Sequence, residues 1–289
     1  MFNSLNMNEL LGHHIETEAT NGATPILVSG LPGNMATLTA EALSQDARFN
    51  LLPFATTSER QRNTSQRLNN GRRVNLLNYY PLDLPEGTIA IDFTTPQSAE
   101  INAINYTQRR IPFVMGTTGG NRDAIEEMVR NSEISAVIAP NMNMDVISRQ
   151  IEIDQIAEFD PDFFRGSSVH IRESHQKTKR DISGTALAFK AQFERHGAEV
   201  APIESIRDTE AQLSLGIPNP DAGHGYHWIW VTNPNGEHIY RFETKINGRE
   251  SYVDGTLAAA EFLHRRMQEG ARGQVFTMRD VVQDLRRAA

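Results

Sequence analysis

Between residues 25 and 141 short apolar runs alternate with polar, helix-patterned stretches, and this alternation restricts the fold more than any other feature. "PILVSG" (25–30), "FNLLPFA" (49–55), "TIAIDFTTP" (88–96), "IPFVMGTTGG" (111–120) and "ISAVIAPN" (134–141) read as strands. They are apolar almost throughout rather than at every second residue, which means burial on both faces. Between them, "NMATLTAEAL" sets Met35, Leu38 and Ala42 on one helical face, and "RDAIEEMVRN" does the same with Ile125, Met128 and Val129. "QSAEINAINYTQRR" suits a further helix, and the polar "SERQRNTSQRLNNGRR" a loop or short helix. Strands alternating with helices imply a parallel sheet with right-handed crossovers. The polar ends "SGLPGN", "DFTTP", "MGTTGG" and "APNMN" then gather on one edge, where ligands of such sheets bind.

The second half changes period. "SSVHIRESH" (167–175) alternates like a half-buried strand, and "GTALAFKAQFER" is helical with Phe189 and Phe193 four apart. "YHWIWVTNPNGEHIYRFETKI" reads as an antiparallel hairpin turning at "NPNG". "DGTLAAAEFLHRRM" and "MRDVVQDLRR" return to helix. The expected fold class is α/β: a Rossmann-type parallel-sheet domain plus an α+β substrate and oligomerisation domain with a mixed or antiparallel sheet. The expected division is 23–142 with 251–289 for the dinucleotide, 143–250 for substrate, and 1–22 as a loosely held N-terminal extension.

The first turn, "GLPGNM", follows a strand and opens a helix. Gly30 permits the sharp turn, and Gly33 a close approach of backbone to a pyrophosphate at the helix N-terminus. An acid about 20 residues further on would hold the ribose of NAD. Here "FATTSERQR" offers hydroxyls and guanidiniums instead, from Thr56, Thr57, Ser58, Arg60 and Arg62. That set suits a 2′-phosphate, so NADPH is expected as cofactor, with NADH as the second option.

"ESHQKTKRDISGT" (173–185) carries the acid–base chemistry. Ser183 stands as the natural cap of the following helix, with Gly184 and Thr185 offering free N–H groups to a carboxylate. His175 donates a proton near neutral pH. Lys179, four residues on, pairs with a carboxylate or polarises an imine nitrogen. "GHGYHW" places His224 and His227 three apart, but no third ligand at metal spacing accompanies them, so a structural or substrate-proximal loop is the expected reading and no metal is expected. Trp228 and Trp230 flank Ile229 and share one sheet face, which an oligomer or a core would cover.

These strings, in this order, resemble the dihydrodipicolinate reductase family, and its plant-type branch in particular. "SGLPGNM", "IDFTTP", "PFVMGTTGG", "APNMN", "ESHQKTKRDISGTA", "IRD", "GIP…GHGYH", "NGRESYVDGT" and "MRDV" carry the likeness over roughly residues 25–285. The resemblance implies reduction of 4-hydroxy-tetrahydrodipicolinate to tetrahydrodipicolinate in lysine and diaminopimelate biosynthesis. It implies that His175 is the general acid, that Lys179 binds and polarises substrate, and that Ser183, Gly184 and Thr185 hold a carboxylate, with Gln176 nearby; Arg249, in "NGR", is read as a substrate-site residue, with a plain turn as the alternative. It implies that Gly30, Gly33, Asn34, Met35, Phe93, Thr94, Gly116, Thr117 and Thr118 line the cofactor, with Asn141 and Met142 at the crossing between domains. Three positions depart from the family pattern: Asn34 stands for a basic residue, Pro32 for a small one and Ala36 for a helix-packing glycine. They bear on the phosphate grip, and leave room for a related cyclic imine or enamine acid as substrate, or for a non-catalytic dinucleotide-binding regulator.

Composition excludes some classes. A net charge of −8 lacks the basic face of a nucleic-acid binder, and no apolar run reaches the length of a membrane span. With no cysteine, thiolate metal sites and cysteine nucleophiles are ruled out, and a cytoplasmic location fits. The expected partners are a small cyclic dicarboxylate and a second or further copies of the chain, as homodimer or homotetramer.

Overall fold

The structure, a computed structural model, describes residues 22–288; residues 1–21 of the N-terminal extension, with their His13–His14 pair, lie outside the described residues. The first part runs β1 (Thr24–Ser29), α1 (Asn34–Leu43), β2 (Phe49–Leu51), β3 (Phe54–Thr56), β4 (Thr64–Arg67), β5 (Arg73–Leu77), β6 (Ile89–Asp92), α2 (Pro96–Gln108), β7 (Phe113–Met115), α3 (Arg122–Arg130) and β8 (Ala136–Ile138). There follow α4 (Met144–Phe159), β9 (Ser168–His175), α5 (Gly184–Arg195), β10 (Glu199–Val200), β11 (Glu204–Ile206), α6 (Thr209–Ser214), β12 (His224–Thr232), β13 (His238–Asn247), α7 (Glu250–Gln268), β14 (Val275–Phe276) and α8 (Met278–Ala288).

The large sheet has the order β14-β8-β7-β6-β1-β3-β5-β4, with β2 also beside β1. Only the β4–β5 pairing is antiparallel. The apolar runs are buried on both faces, as their composition requires. Val28, Ile91, Val114 and Val137 pack with α1, α7 and α8, while Ala90, Phe113 and Ala136 pack with α2 and α3. The smaller sheet, β10-β9-β12-β13 with β11 beside β9, is mixed, and α4 and α5 cover one of its faces through Phe189, Phe193 and Ile153.

Three local expectations change. "FNLLPFA" forms two strands, β2 and β3, because Pro53 cannot donate to a ladder at the break. The polar stretch after residue 58 forms a 3₁₀ turn (Glu59–Gln61), the edge strand β4 and then β5, which lies between β3 and β4; β4 is mostly exposed and hydrophilic, as edge strands are. On α1 the deeply buried stripe is Ala36, Thr39, Ala40 and Leu43, one residue round from the expected face. Met35, Leu38 and Ala42 lie only partly buried against the same core.

The chain leaves the large sheet at Asn141–Asn143 and returns through α7. The Asn143 side chain caps α4 by accepting from Val146 N–H (3.0 Å), and its amide donates to Ser251 Oγ (3.0 Å) on α7. Gly255 lets α7 pass the crossing: a Cβ there would lie 1.8 Å from the Met142 carbonyl oxygen. Gly255→Ala therefore forces backbone apart at the junction of the two sheets, an overpacking that costs about 1–3 kcal/mol or more. Thermal unfolding should show a midpoint lower by several degrees, and an unchanged midpoint would show that the crossing shifts freely.

Candidate active site

The apolar face of the smaller sheet ends in a polar cluster. Val169, Ile171, Ile229 and Phe242 occupy that face, and strand alternation continues it into Glu173, His175, His227 and Thr244. Glu173 is fully buried (0% exposed). It accepts from His175 Nδ1 (2.6 Å), Ser205 Oγ (2.6 Å) and the Arg207 guanidinium (2.6 and 3.1 Å). Burial alone would raise its pKa, but the bonds from His175, Arg207 and Ser205 outweigh that and hold it down at about 2. The carboxylate thus keeps the His175 proton on Nδ1 and turns Nε2 outward. Gly225, paired with His175 across the ladder, leaves room for that nitrogen: a Cβ there would lie 3.1 Å from it.

Nearby, two further histidines are held by hydrogen bonds. His224 Nδ1 faces the Ala222 carbonyl (3.1 Å), so it carries the proton, and Nε2 accepts from Ser174 Oγ (3.0 Å). His227 Nδ1 lies 3.0 Å from Thr244 Oγ1 and Nε2 lies 3.0 Å from Ser183 Oγ. Burial lowers the pKa of both, His227 to about 3. They stand on β12 rather than in a loop before it. No group of three or more metal-ligating side chains occurs among the described residues.

A cavity of about 370 Å³ lies between the two sheets. Met35, Phe93, Thr94, Gly116, Thr117, Thr118 and Met142 line it from the large sheet, and His175, Gln176 and Arg249 from the other side. A second cavity, of about 620 Å³, shares Phe93 and Thr94 as a wall and runs past Gly30, Gly33 and Ser58. Asn34, Arg60, Asn141, Lys179, Ser183, Gly184 and Thr185 line neither. Asn141 bridges to the second group, its amide donating to Thr185 Oγ1 (3.3 Å). Lys179 sits on the same turn as Gln176, and Arg207 Nε donates to its carbonyl (2.9 Å). Ser183 does not cap α5 as expected: its hydroxyl is diverted to His227, so the first N–H groups of the helix have no side-chain partner.

The residues at the first turn fit a dinucleotide. Gly30 has φ +112°, and a Cβ there would strike the Phe93 carbonyl oxygen at 2.3 Å. α1 starts at Gly33 with no side-chain cap and no acidic residue in its first turn, leaving its N–H groups to an anion. Glu59 is paired with Arg62 (2.5 Å) and takes a hydrogen bond from Asn78, while Arg60 is exposed.

Residue-type reasoning overlooked Asp92. It is fully buried and accepts from Thr94 N–H and Oγ1, Thr117 Oγ1, Asn102 Nδ2 and the Tyr106 hydroxyl, at 2.6–3.0 Å. Burial, and then the Asp92 charge, push the Tyr106 pKa well up, so it stays a donor. Asp92 thereby fixes the two loops that form one cavity wall. Glu173 was overlooked as well; the signal for each was an acid inside an otherwise buried strand pattern. Of the two tryptophans, Trp228 is covered by core, buried inside the subunit against Tyr226 and Ile217, while Trp230 is half-buried.

A carboxyl group depressed from the usual 4.5 to about 2 contributes stability that is complete above pH 4.5 and lost as pH falls through 2. For Glu173 this amounts to about 3 kcal/mol. Thermal midpoints should hold from neutral pH to about pH 5 and then fall. Glu173→Gln should flatten that fall, and an acid slope identical to wild type would locate the acid sensitivity elsewhere.

Comparison with known proteins agrees with this architecture. The family descriptions "Dihydrodipicolinate reductase, N-terminus" and "Dihydrodipicolinate reductase, C-terminus" match residues 24–142 and 153–282. In rice (Oryza sativa subsp. japonica), probable 4-hydroxy-tetrahydrodipicolinate reductase 1, chloroplastic, is 37% identical over 70% of this chain, which spans 60% of that relative's length. Probable reductase 2 from the same plant is 33% identical over 90% of this chain and 83% of its own length. A dipicolinate-bound dihydrodipicolinate reductase from Paenisporosarcina sp. TG-14 shares the fold, with a TM-score of 0.63 at 14% identity over 88% of this chain and 97% of that one. With both halves matched and close relatives of one kind, the chain belongs to the dihydrodipicolinate reductase family.

Proposed function

We propose that this protein reduces 4-hydroxy-tetrahydrodipicolinate to tetrahydrodipicolinate with NADPH, NADH being the second option, in lysine and diaminopimelate biosynthesis. The observation that carries the reading is a single cavity walled by the strand-end loops of the large sheet and by a histidine whose Nδ1 is tied to a buried carboxylate. Residues 23–142 and 251–289 serve the dinucleotide, and 143–250 the substrate and the subunit contact. Gly30, Gly33, Asn34 and Met35 meet the pyrophosphate side. Ser58 and Arg60 meet a 2′-phosphate, and Phe93–Thr94 and Gly116–Thr118 line the nicotinamide end. When bound, the reduced nicotinamide supplies a hydride to the ring carbon conjugated with the imine.

The protein supplies the rest. His175 delivers the proton from Nε2 to the neighbouring ring carbon, and Glu173 keeps the other nitrogen protonated throughout. Net, the ring gains a hydride and a proton and loses water. Lys179 polarises the imine, and Gln176 and Arg249 bind around the ring. The start of α5, with Ser183, Gly184 and Thr185, takes a carboxylate on free N–H groups. Closure of the cleft about Asn141–Met142 excludes water from the reacting atoms. The half-buried Trp230, with Arg172 and Arg241 over its ring at 5.5 and 5.8 Å, supports a homodimer or homotetramer formed through the outer face of the smaller sheet.

Oxidation of NADPH on adding 4-hydroxy-tetrahydrodipicolinate, followed at its absorbance band, tests the reaction. His175→Ala should lower kcat by about 10²–10⁴-fold, and Lys179→Ala should lower kcat and raise the substrate KM. A folded protein that fails to turn over this substrate defeats the reading. For the cofactor, Arg60→Ala should raise the KM for NADPH about tenfold and leave that for NADH nearly unchanged. Equal losses with both would remove Arg60 from 2′-phosphate recognition.

A further inference from the structure

Ser183, His227 and Thr244 are 3%, 1% and 5% exposed and form one chain of hydrogen bonds. Thr244 Oγ1 has a single partner among the described residues, His227 Nδ1. A buried hydroxyl that donates to nothing costs about 1–3 kcal/mol, so its hydrogen points at that nitrogen. His227 is neutral, because burial holds its pKa at about 3. A neutral imidazole has one N–H, which must then lie on Nε2 and donate to Ser183 Oγ. The Ser183 hydrogen is left with no acceptor among the described residues. In the reverse direction the unpaired hydrogen would sit on Thr244, on the edge strand β13 and lining neither cavity, whereas Ser183 stands at the uncapped start of α5.

We propose that Thr244 and His227 are positioning residues that fix Ser183 as a hydrogen-bond donor toward a carboxylate at the start of α5. The ligand class, and with it the choice of direction, rests on the function proposed above. His227 occupies the acceptor side of Ser183 and withdraws its hydroxyl from capping, so the hydroxyl and the first N–H groups of α5 act together on one anion. This gives the buried pair on β12 and β13 a role in substrate selection without contact with substrate.

Two measurements test it on the full-length protein. Histidine-labelled NMR of the ligand-free protein reads the tautomer of His227: Nε2–H is expected, and Nδ1–H overturns the relay. Titration with pyridine-2,6-dicarboxylate in the presence of NADPH reads its effect. Thr244→Val should weaken binding about five- to tenfold, and Thr244→Ser should restore it. In a Ser183→Ala background Thr244→Val should change the affinity less than about twofold, because the relay acts only through that hydroxyl. An equal loss with and without Ser183, or no loss in the native background, overturns the proposal. If wild type shows the Nε2–H tautomer but binds no diacid, the substrate reading fails, and with it the carboxylate assigned to Ser183.

Discussion

A buried carboxylate stands behind each wall of the cleft, and the arrangement of everything between them depends on these two charges. Glu173 holds His175, Ser205 and Arg207. Arg207 in turn donates to the carbonyls of Lys179 (2.9 Å) and Asp181 (3.1 Å), so the loop that carries the basic residues hangs from the same charge as the imidazole. Across the cleft Asp92 gathers Thr94, Thr117, Asn102 and Tyr106. A buried ion with every lone pair used is rigid, and removing one partner leaves the charge uncompensated. Both walls are therefore set before any ligand arrives, which the proposed reaction needs in order to hold a ring within reach of a proton donor.

The two anchors also explain why the fold was more legible than the site. Burial on both faces leaves a composition that reads directly as parallel strands, and β6, β7 and β8 lie within the runs that carry it. α5 runs from Gly184 to Arg195, as its apolar spacing implies, because Phe189 and Phe193 point into one core. Edge strands are different. β4 is held by backbone pairing at a wet margin, so its side chains carry little record of it, whereas β5, one strand in, buries Val74 and Leu76 between polar neighbours. The α1 face was misplaced by one residue because small residues, Ala36 and Ala40, line the closest contact, while larger ones border it.

Within the site, chemistry-bearing types were easier to find than their supports. His175, Gln176 and Arg249 share a cavity with Phe93, Thr94 and Gly116. The acids beneath them went unassigned, since an aspartate ending a strand or a glutamate within one reads as surface until partners are known. Ser183 shows the limit most clearly. A serine before a helix is ordinarily its cap. Here a histidine 44 residues later in the chain claims its hydroxyl, and only tertiary structure reveals that competition.

Helix starts show where the protein reserves its binding capacity. α3, α4 and α6 are closed by the side chains of Asn121, Asn143 and Asp208, each accepting from a first-turn N–H. α1, α2, α5 and α7 have no such bond. These four begin at the cleft: Gly33 and Thr95 line the second cavity, Arg249 lines the first, and Thr185 touches Asn141 beside it. An uncapped first turn loses about 1 kcal/mol of helix stability relative to a capped one. At α7, however, the Glu250 carboxylate takes the Arg249 N–H (2.9 Å), and at α2 Pro96 removes one donor, so α1 and α5 are the starts where another group can satisfy the N–H donors. Anions do this with the added benefit of the helix dipole. In the function proposed above, a dinucleotide pyrophosphate takes the first of these two starts and a substrate carboxylate the second.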